Sequence, residues 1–402
     1  MPRRVLLVCL GLAVVLVGVL VFTVTRAPGS SDSPAATRAT PPTPASSAGL
    51  GVVGFLGELR IPPGTQYGGS TIGGLSGLDR DPRTGGWFLI SDDRSEKQPA
   101  RFYTADLAFE GSDGALSGVR FTGTTPFLRV DGTPFPPLSV GDGTTVDPED
   151  IRVDPRSENL LWSQEGERIV PPDGAAPTLI DPSVRFCGRD GRSLGEVPVP
   201  AEEKVTAGES GIRQNLGPEG LSFAAGGDLV VTALEGPLLQ DGPTATRTEG
   251  ARSRIVVQDR DGTVVAQYVY PQEPLFADPV PANGTAATGV SGILAVDEGD
   301  PTRFLVLERS FVAGVGNKVR LYEIDTDGAT DVAHSGTPPA AARPVTKRLL
   351  VDLADLPVRS VDNIEGLAWG PSQADGARAL VLVSDDNFST SQITQFVALA
   401  VR

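Results

Sequence analysis

The chain carries one motif five times at nearly even spacing, and this repeat restricts the folds open to it. Each copy places a small or acidic residue before a short apolar strand, then a turn, a second apolar run and a further acidic residue or pair. Repetition at this period is typical of architectures built from one supersecondary unit. The anchoring apolar residues, spaced by 73, 70, 72 and 74 positions, are Leu78, Ile151, Leu221, Ile293 and Leu367.

Most copies continue into a second pair of strand-like runs. In "RIVVQDRDGTVVAQYVY", for example, an Asp-Gly step separates two apolar runs. Asp-Gly favours the backbone geometry of tight hairpins, so we interpret these steps as structural turns. Four short strands per repeat, with almost no helical periodicity, predict an all-β fold. We expect a β-propeller with five visible four-stranded blades, and a sixth is possible if an insertion hides a degenerate copy.

The two ends of the repeat region complement each other. The last copy stops after its third strand, in "ITQFVALAVR", while "VVGFLGELRIP" from Val52 precedes the first copy. We predict that this N-terminal strand supplies the fourth strand of the last blade and closes the ring.

The chain divides into three parts. Residues 1–26 contain 18 uncharged residues from Val5 to Phe22 after a basic start, which predicts a signal peptide or a signal-anchor helix. Residues 27–49 are rich in Ala, Pro, Ser and Thr and predict a disordered tether. Residues 50–402 form the propeller. This arrangement predicts an extracellular or cell-surface location, with membrane contact only through the N-terminal segment.

Composition excludes several classes of partner and site. The formal net charge is −16, so nucleic acid is a poor partner. Only Cys187 lies outside the apolar start, and its setting favours packing rather than nucleophilic chemistry. A serine triad or a histidine phosphatase needs a histidine, and the single one, His334, lies in an Ala/Gly/Pro-rich loop.

The acidic residues fall at equivalent positions of the repeat. In a propeller the first strand of each blade lines the central channel, and the second strand runs antiparallel to it. A residue that begins strand one should therefore lie beside a residue that ends strand two. The predicted neighbours are Ser76 with Asp92 and Asp93, Glu149 with Glu165, Glu219 with Glu235, Ser291 with Glu308, and Glu365 with Asp385 and Asp386.

So many carboxylates at one channel mouth favour a bound cation. Like charges at short range do not all ionise unless a positive group lies among them. Calcium is the natural choice, since it takes six to eight oxygen ligands and the chain offers almost no His or Cys. The alternative is that the carboxylates accept hydrogen bonds from loop N–H groups and from Arg94, Arg309 and Arg320.

The motifs "GLSGLDRDP", "DPEDI", "GPEGLSF", "ERSFVAGVGNKVRLYEID" and "DNIEGLAWGP" together resemble the phytase-like domain family, whose members are described as having esterase-like activity of phytase. The resemblance covers about residues 53–400. It implies a β-propeller and calcium-dependent hydrolysis of phosphate esters. In that picture the residues fall into three sets: catalytic Glu149, Glu219 and Glu365; metal-binding Asp92, Asp93, Glu165, Glu235, Glu308, Asp385 and Asp386; and substrate-binding Arg94, Arg309, Lys318 and Arg320.

Two classes of function remain open. The first is a monomeric calcium-dependent hydrolase that acts on a small phosphate ester or, alternatively, on a lactone or related ester. The second is a non-catalytic propeller that binds a glycan, peptide or envelope partner through its channel face.

Overall fold

The computed structural model describes residues 49–111 and 114–402, so the predicted signal segment and nearly all of the predicted tether lie outside the described residues. The described residues form five four-stranded antiparallel blades arranged in a ring. The predicted all-β propeller with five blades is therefore confirmed. The sixth blade, left open by the sequence, is absent from residues 49–111 and 114–402.

The strands follow one another around the ring in chain order. An initial strand, β1 (Val52–Ile61), and a small hairpin, β2 (Gln66–Tyr67) with β3 (Ser70–Thr71), precede the first blade. Blade one contains β4 (Gly77–Arg80), β5 (Trp87–Ser91), β6 (Arg101–Glu110) and β7 (Ala115–Pro126). Blade two contains β8 (Pro148–Val153), β9 (Leu160–Gln164), the inserted hairpin β10 (Glu167–Ile169) and β11 (Thr178–Ile180), then β12 (Ser183–Cys187) and β13 (Ser193–Val197).

The remaining three blades have longer innermost strands. Blade three contains β14 (Pro218–Ala224), β15 (Leu229–Leu234), β16 (Arg252–Asp259) and β17 (Val264–Pro271). Blade four contains β18 (Ala286–Ala295), β19 (Arg303–Val312), β20 (Gly316–Asp325) and β21 (Thr346–Asp352). Blade five contains β22 (Ile364–Ser372), β23 (Arg378–Ser384) and β24 (Thr394–Val401), and β1 is its outer strand.

The ring closes by pairing the two ends of the described chain. Strand β1 runs antiparallel to β24, with Val52 opposite Val401 and Ile61 opposite Thr394. The predicted closing role of the N-terminal strand is therefore confirmed. Because every other blade is a continuous piece of chain, this pairing is the step that converts a row of blades into a ring.

Apolar side chains fill the spaces between neighbouring blades. Strands β5, β9 and β24 are buried along their whole length, as expected for strands that pack on both faces. Between blades one and two, Phe127 stacks on Trp162 with ring centroids 4.1 Å apart. Aromatic and branched aliphatic packing of this kind supplies most of the stability of the ring.

Glycine lets the innermost strands approach one another closely. In four blades the residue before the anchor is glycine, and a Cβ at Gly292 would lie 2.6 Å from the carbonyl oxygen of Glu365. Contacts that short do not occur between real side chains and backbone. These four positions are Gly77, Gly220, Gly292 and Gly366. Blade two differs, because Asp150 occupies the equivalent position.

The side chain of Arg152 joins the inner strands of all five blades. It is 2% exposed, and its guanidinium donates to the backbone carbonyls of the four anchor residues that lie outside its own blade. The bonds are Nε to Leu221 O at 2.5 Å, Nη1 to Leu78 O at 2.7 Å and to Leu367 O at 2.9 Å, and Nη2 to Ile293 O at 3.1 Å.

Asp150 balances the charge of Arg152. Its Oδ2 accepts from Nη2 of Arg152 at 2.7 Å and from the backbone N–H of Leu221 at 2.9 Å. Burial raises the pKa of Asp150 to about 7, although the neighbouring guanidinium opposes the rise. At the two positions on either side of the anchor residue, blade two therefore carries Asp150 and Arg152. The other blades carry glycine before the anchor and a neutral or acidic residue after it.

We expect Arg152→Met to lower the free energy of unfolding by about 3–5 kcal/mol, the usual loss when one partner of a buried ion pair is removed. The substitution leaves Asp150 buried without its cation and removes the donor from four carbonyls. Denaturant unfolding followed by tryptophan fluorescence measures the change. Arg120→Met, which removes an exposed ion pair with Asp106, is the matched control and should change stability by less than about 0.5 kcal/mol.

A double variant separates the charge from the packing. Replacing Asp150 by Gly in the Arg152→Met protein restores the motif of the other blades and removes the stranded acid. We expect it to recover part of the lost stability. If Arg152→Met is no more harmful than the Arg120 control, the side chain is not holding the ring.

The location predicted from the N-terminal segment requires a correction. No helix within residues 49–111 and 114–402 is long and apolar enough to cross a membrane. The predicted signal or anchor, residues 1–26, lies outside the described residues. The structure therefore does not support the predicted extracellular or cell-surface location.

Candidate metal centre

A β-bulge places the acidic residue of the motif in each longer inner strand. In β14, Pro218 pairs with Leu234 and Gly220 pairs with Ala233, so Glu219 has no partner in the ladder. The same irregularity leaves out Ser291 in β18 and Glu365 in β22, and in β8 it includes Glu149. Bulges re-aim side chains and are common beside functional sites. Here they occur near the N-terminal ends of β8, β14 and β22 and in the middle of β18.

Carboxylates converge at these strand ends, and we call the set the acidic cluster. One group has ligand oxygens within 4.8 Å of one another and contains Asp92, Asp147 and Glu149; a second, at the same spacing, contains Glu149, Glu165 and Glu219. Glu149 belongs to both groups. Glu235, Glu365 and Asp385 complete the acidic cluster through charge interactions with these residues.

Asp147 is the least satisfied member of the acidic cluster. It is 3% exposed, and neither carboxylate oxygen accepts a well-formed hydrogen bond from any described group. Nη2 of Arg94 lies 2.5 Å from Oδ2 and provides an ion pair. A buried carboxylate with one unsatisfied oxygen is costly unless a ligand completes its environment.

Two arginines border the acidic cluster on different sides. Arg94 also donates to Glu167 at 3.0 Å and to Asn215 at 2.7 Å. Arg309 lies 2.7 Å from Glu235 and 3.4 Å from Glu365. Burial alone would lower the pKa of each guanidinium, but the surrounding carboxylates reverse this effect and raise it. Both side chains therefore remain cations.

Burial and mutual repulsion raise the pKa of the acidic cluster. Desolvation is the largest cause for every member, and neighbouring carboxylates add to it for most of them. At neutral pH the cluster therefore retains protons unless a cation replaces them. The pKa is raised to about 8 for Glu165 and about 7 for Glu365, well above the ordinary value for Asp147, Glu149, Glu219 and Asp385, and above it for Asp92 and Glu235.

Three residues predicted as metal ligands already have partners. Asp93 pairs with Arg101 at 2.7 Å and accepts three backbone N–H bonds from the loop after β5. Asp386 accepts from the N–H of Gly74 and from Thr394. Glu308 accepts from Lys347 at 2.8 Å and from Tyr270 at 3.1 Å. These contacts match the hydrogen-bond alternative stated above.

Two residues predicted to bind substrate form ion pairs within blade four and do not contact the acidic cluster. Lys318 and Arg320 are on β20, the third strand of blade four, and both pair with Asp352 on β21, at 2.9 Å and 3.5 Å. Of the four predicted basic residues, Arg94 and Arg309 are the two that contact the acidic cluster.

Sequence reasoning missed Asp147, Asp150 and Arg152. Asp147 precedes Glu149 by two residues, so its place at the start of β8 could have marked it as a neighbour. Asp150 and Arg152 stand where the other copies carry glycine and an uncharged or acidic residue. A comparison of the copies position by position would have shown this departure, although not the contacts it makes.

The fold and the acidic cluster define a five-bladed propeller with a candidate metal centre built from carboxylates. A family model described as "Phytase-like: Esterase-like activity of phytase" matches residues 70–388. The chain belongs to this phytase-like family, as its motifs predicted.

Individual proteins resemble the chain only distantly. No curated protein matches the chain. Among solved structures, hydrazine synthase from Kuenenia stuttgartiensis is 11% identical, with a TM-score of 0.38 and 80% of each chain covered. A glucose dehydrogenase is 13% identical, with a TM-score of 0.37, covering 85% of this chain and 98% of its own. Likenesses this distant carry no argument.

The raised pKa values predict how the metal-free protein responds to pH. Between about pH 4.5 and pH 8 the folded acidic cluster binds more protons than the unfolded chain, so this contribution to stability falls as the pH rises. In excess chelator we expect the Tm to fall by about 5 °C or more from pH 5 to pH 8. Differential scanning calorimetry measures the slope.

Glu165→Gln tests whether the acidic cluster is the source of that slope, because glutamine has no proton to lose. The variant should flatten the decline. Excess calcium should do the same in the unaltered protein, since the ion takes the place of protons. A Tm that is constant or rises from pH 5 to pH 8 in chelator would show that the carboxylates are not protonated as described.

Proposed function

We propose that the protein is a calcium-dependent hydrolase of phosphate esters whose reaction takes place at the acidic cluster, at one mouth of the channel. The observation that carries the proposal is Asp147, a buried carboxylate beside Asp92 and Glu149 whose Oδ1 accepts no hydrogen bond and whose Oδ2 has only Arg94 as an ion-pair partner. The family description, esterase-like activity of phytase, supports the same chemistry.

The residues present fit calcium. All the donors in the two groups are carboxylate oxygens, the ligands that a hard cation prefers. Glu149 is common to both groups, so it would belong to the ligand set whichever group holds an ion. Hydrogen bonds alone account for Asp93, Asp386 and Glu308, but they leave Asp147 unexplained.

The chain's own groups have separate roles around that centre. Bound calcium would neutralise phosphate charge and lower the pKa of a water molecule. Arg94 and Arg309 border the carboxylates, and a guanidinium can hold two phosphate oxygens at once. Glu365 lies outside both groups of three and is held by the side chain of Asn363 at 3.0 Å. We assign Glu365 as the acceptor of the proton from the attacking water.

Phosphate release from phytate is the direct test. The purified protein should release phosphate in calcium and lose this activity in excess chelator. Glu149→Gln and Glu219→Gln should each lower kcat by about 100-fold or more, because each removes a charged ligand from the centre. Glu196→Gln is the matched control, since Glu196 lies on the outer strand β13 and should leave kcat unchanged.

Other outcomes distinguish the remaining classes. A carboxyl ester and a lactone should be assayed in parallel with phytate under the same calcium conditions. Calcium-dependent turnover of one of these substrates, without phosphate release from phytate, would contradict a phosphate-ester substrate. It would still support calcium-dependent catalysis at the acidic cluster. Calcium binding without turnover of any substrate would contradict an enzyme and favour the non-catalytic binding propeller.

A further inference from the structure

A second recess lies at the opposite ends of the inner strands from the acidic cluster. It is a cavity of about 220 Å³, and each of the five inner strands contributes residues from its C-terminal half. Arg152 lines its inner end, where the guanidinium bonds to the five blades. The cavity is therefore a separate compartment from the carboxylates.

The walls of this cavity are largely apolar and aromatic. They include Val153, Phe223, Leu294 and Trp369. Trp369 is held in place because its indole N–H donates to the carbonyl of Ala295 at 2.9 Å. Fixed apolar walls with a few polar groups are the usual construction of a small-molecule site, and the volume suits a body about the size of one aromatic ring.

The charges at the cavity favour an anion. Among the described residues, the guanidinium of Arg80 has no hydrogen-bond acceptor and no ion-pair partner. Arg378 stacks on Trp369 at 3.9 Å and donates to the carbonyl of Val296 at 3.0 Å, and the charges of Asp297 and Glu298 act on its guanidinium. Arg80 is therefore the basic group that remains available at the wall.

The acidic residues at the cavity do not cancel this charge. Asp154 is held by both terminal nitrogens of Arg260, at 2.6 Å and 3.1 Å. Asp79 accepts the backbone N–H groups of Val153 and Arg80, each at 2.8 Å, which commits its oxygens to the wall. Glu298 is exposed at the rim, where water screens its charge.

We propose that this cavity binds a small aromatic carboxylate, with the ring against Trp369 and the carboxylate on Arg80. The assignment is independent of the phosphate-ester proposal, because it uses none of the carboxylates of the acidic cluster. An aromatic cation would meet Arg80 and Arg378, and a neutral ring would leave Arg80 unpaired. The anion is therefore the preferred occupant.

Tryptophan fluorescence tests the proposal with benzoate as the probe. Trp87 and Trp162 are buried at 1% and 2% exposure between blades, so a change on binding reports on Trp369. Benzoate should alter the emission saturably. Benzamide, which has the same shape without charge, and benzamidinium, its cationic counterpart, should each bind at least about tenfold more weakly.

Arg80→Gln is the decisive variant, because the side chain has no partner in the fold and its loss should not affect folding. It should weaken benzoate binding by at least about tenfold, while Arg120→Gln on the outer part of blade one should not. Trp369→Phe should abolish the fluorescence change and retain binding by calorimetry. Equal affinity for all three probes, or an unchanged affinity in Arg80→Gln, would overturn the proposal.

Discussion

One guanidinium group, that of Arg152, holds five inner strands at a single point on the axis of the ring. It bonds to a carbonyl in each of the other four blades and to Asp150 in its own. Glycine at the equivalent position of the other blades allows the strands to come close enough for one side chain to reach them all. The five-fold ring therefore depends on one blade that departs from the repeat.

The arginine also divides the axis chemically. On one side, bulged inner strands turn carboxylates towards one another, and burial leaves them short of positive charge. On the other side, the same strands end around a largely apolar cavity bordered by Arg80, whose guanidinium has no partner among the described residues.

The features that recur in every copy of the motif could be predicted from the sequence, whereas contacts made by single residues could not. Five blades, the closing strand and the placement of Glu149 and Glu219 follow from a motif that each copy repeats in the same local setting. The partners of Glu308 could not be predicted, since Lys347 lies 39 residues away and reaches it only through the pairing of blade four. Arg152 was missed because its contacts are with backbone carbonyls, which carry no residue-specific signal.

The acidic cluster is asymmetric, and several residues predicted as metal ligands have other partners in the structure. Arg309 takes the place between Glu235 and Glu365, and Arg94 partly neutralises Asp147. What remains is a pair of adjoining groups that share Glu149. The candidate centre is therefore confined to one part of the ring, with an arginine on either side.

A crystal structure determined with calcium in excess, with anomalous differences to locate the ions, tests this central claim most directly. The account predicts two ion peaks, one among Asp92, Asp147 and Glu149 and one among Glu149, Glu165 and Glu219. Ions bound elsewhere, or no ions and a protonated cluster at neutral pH, would contradict it.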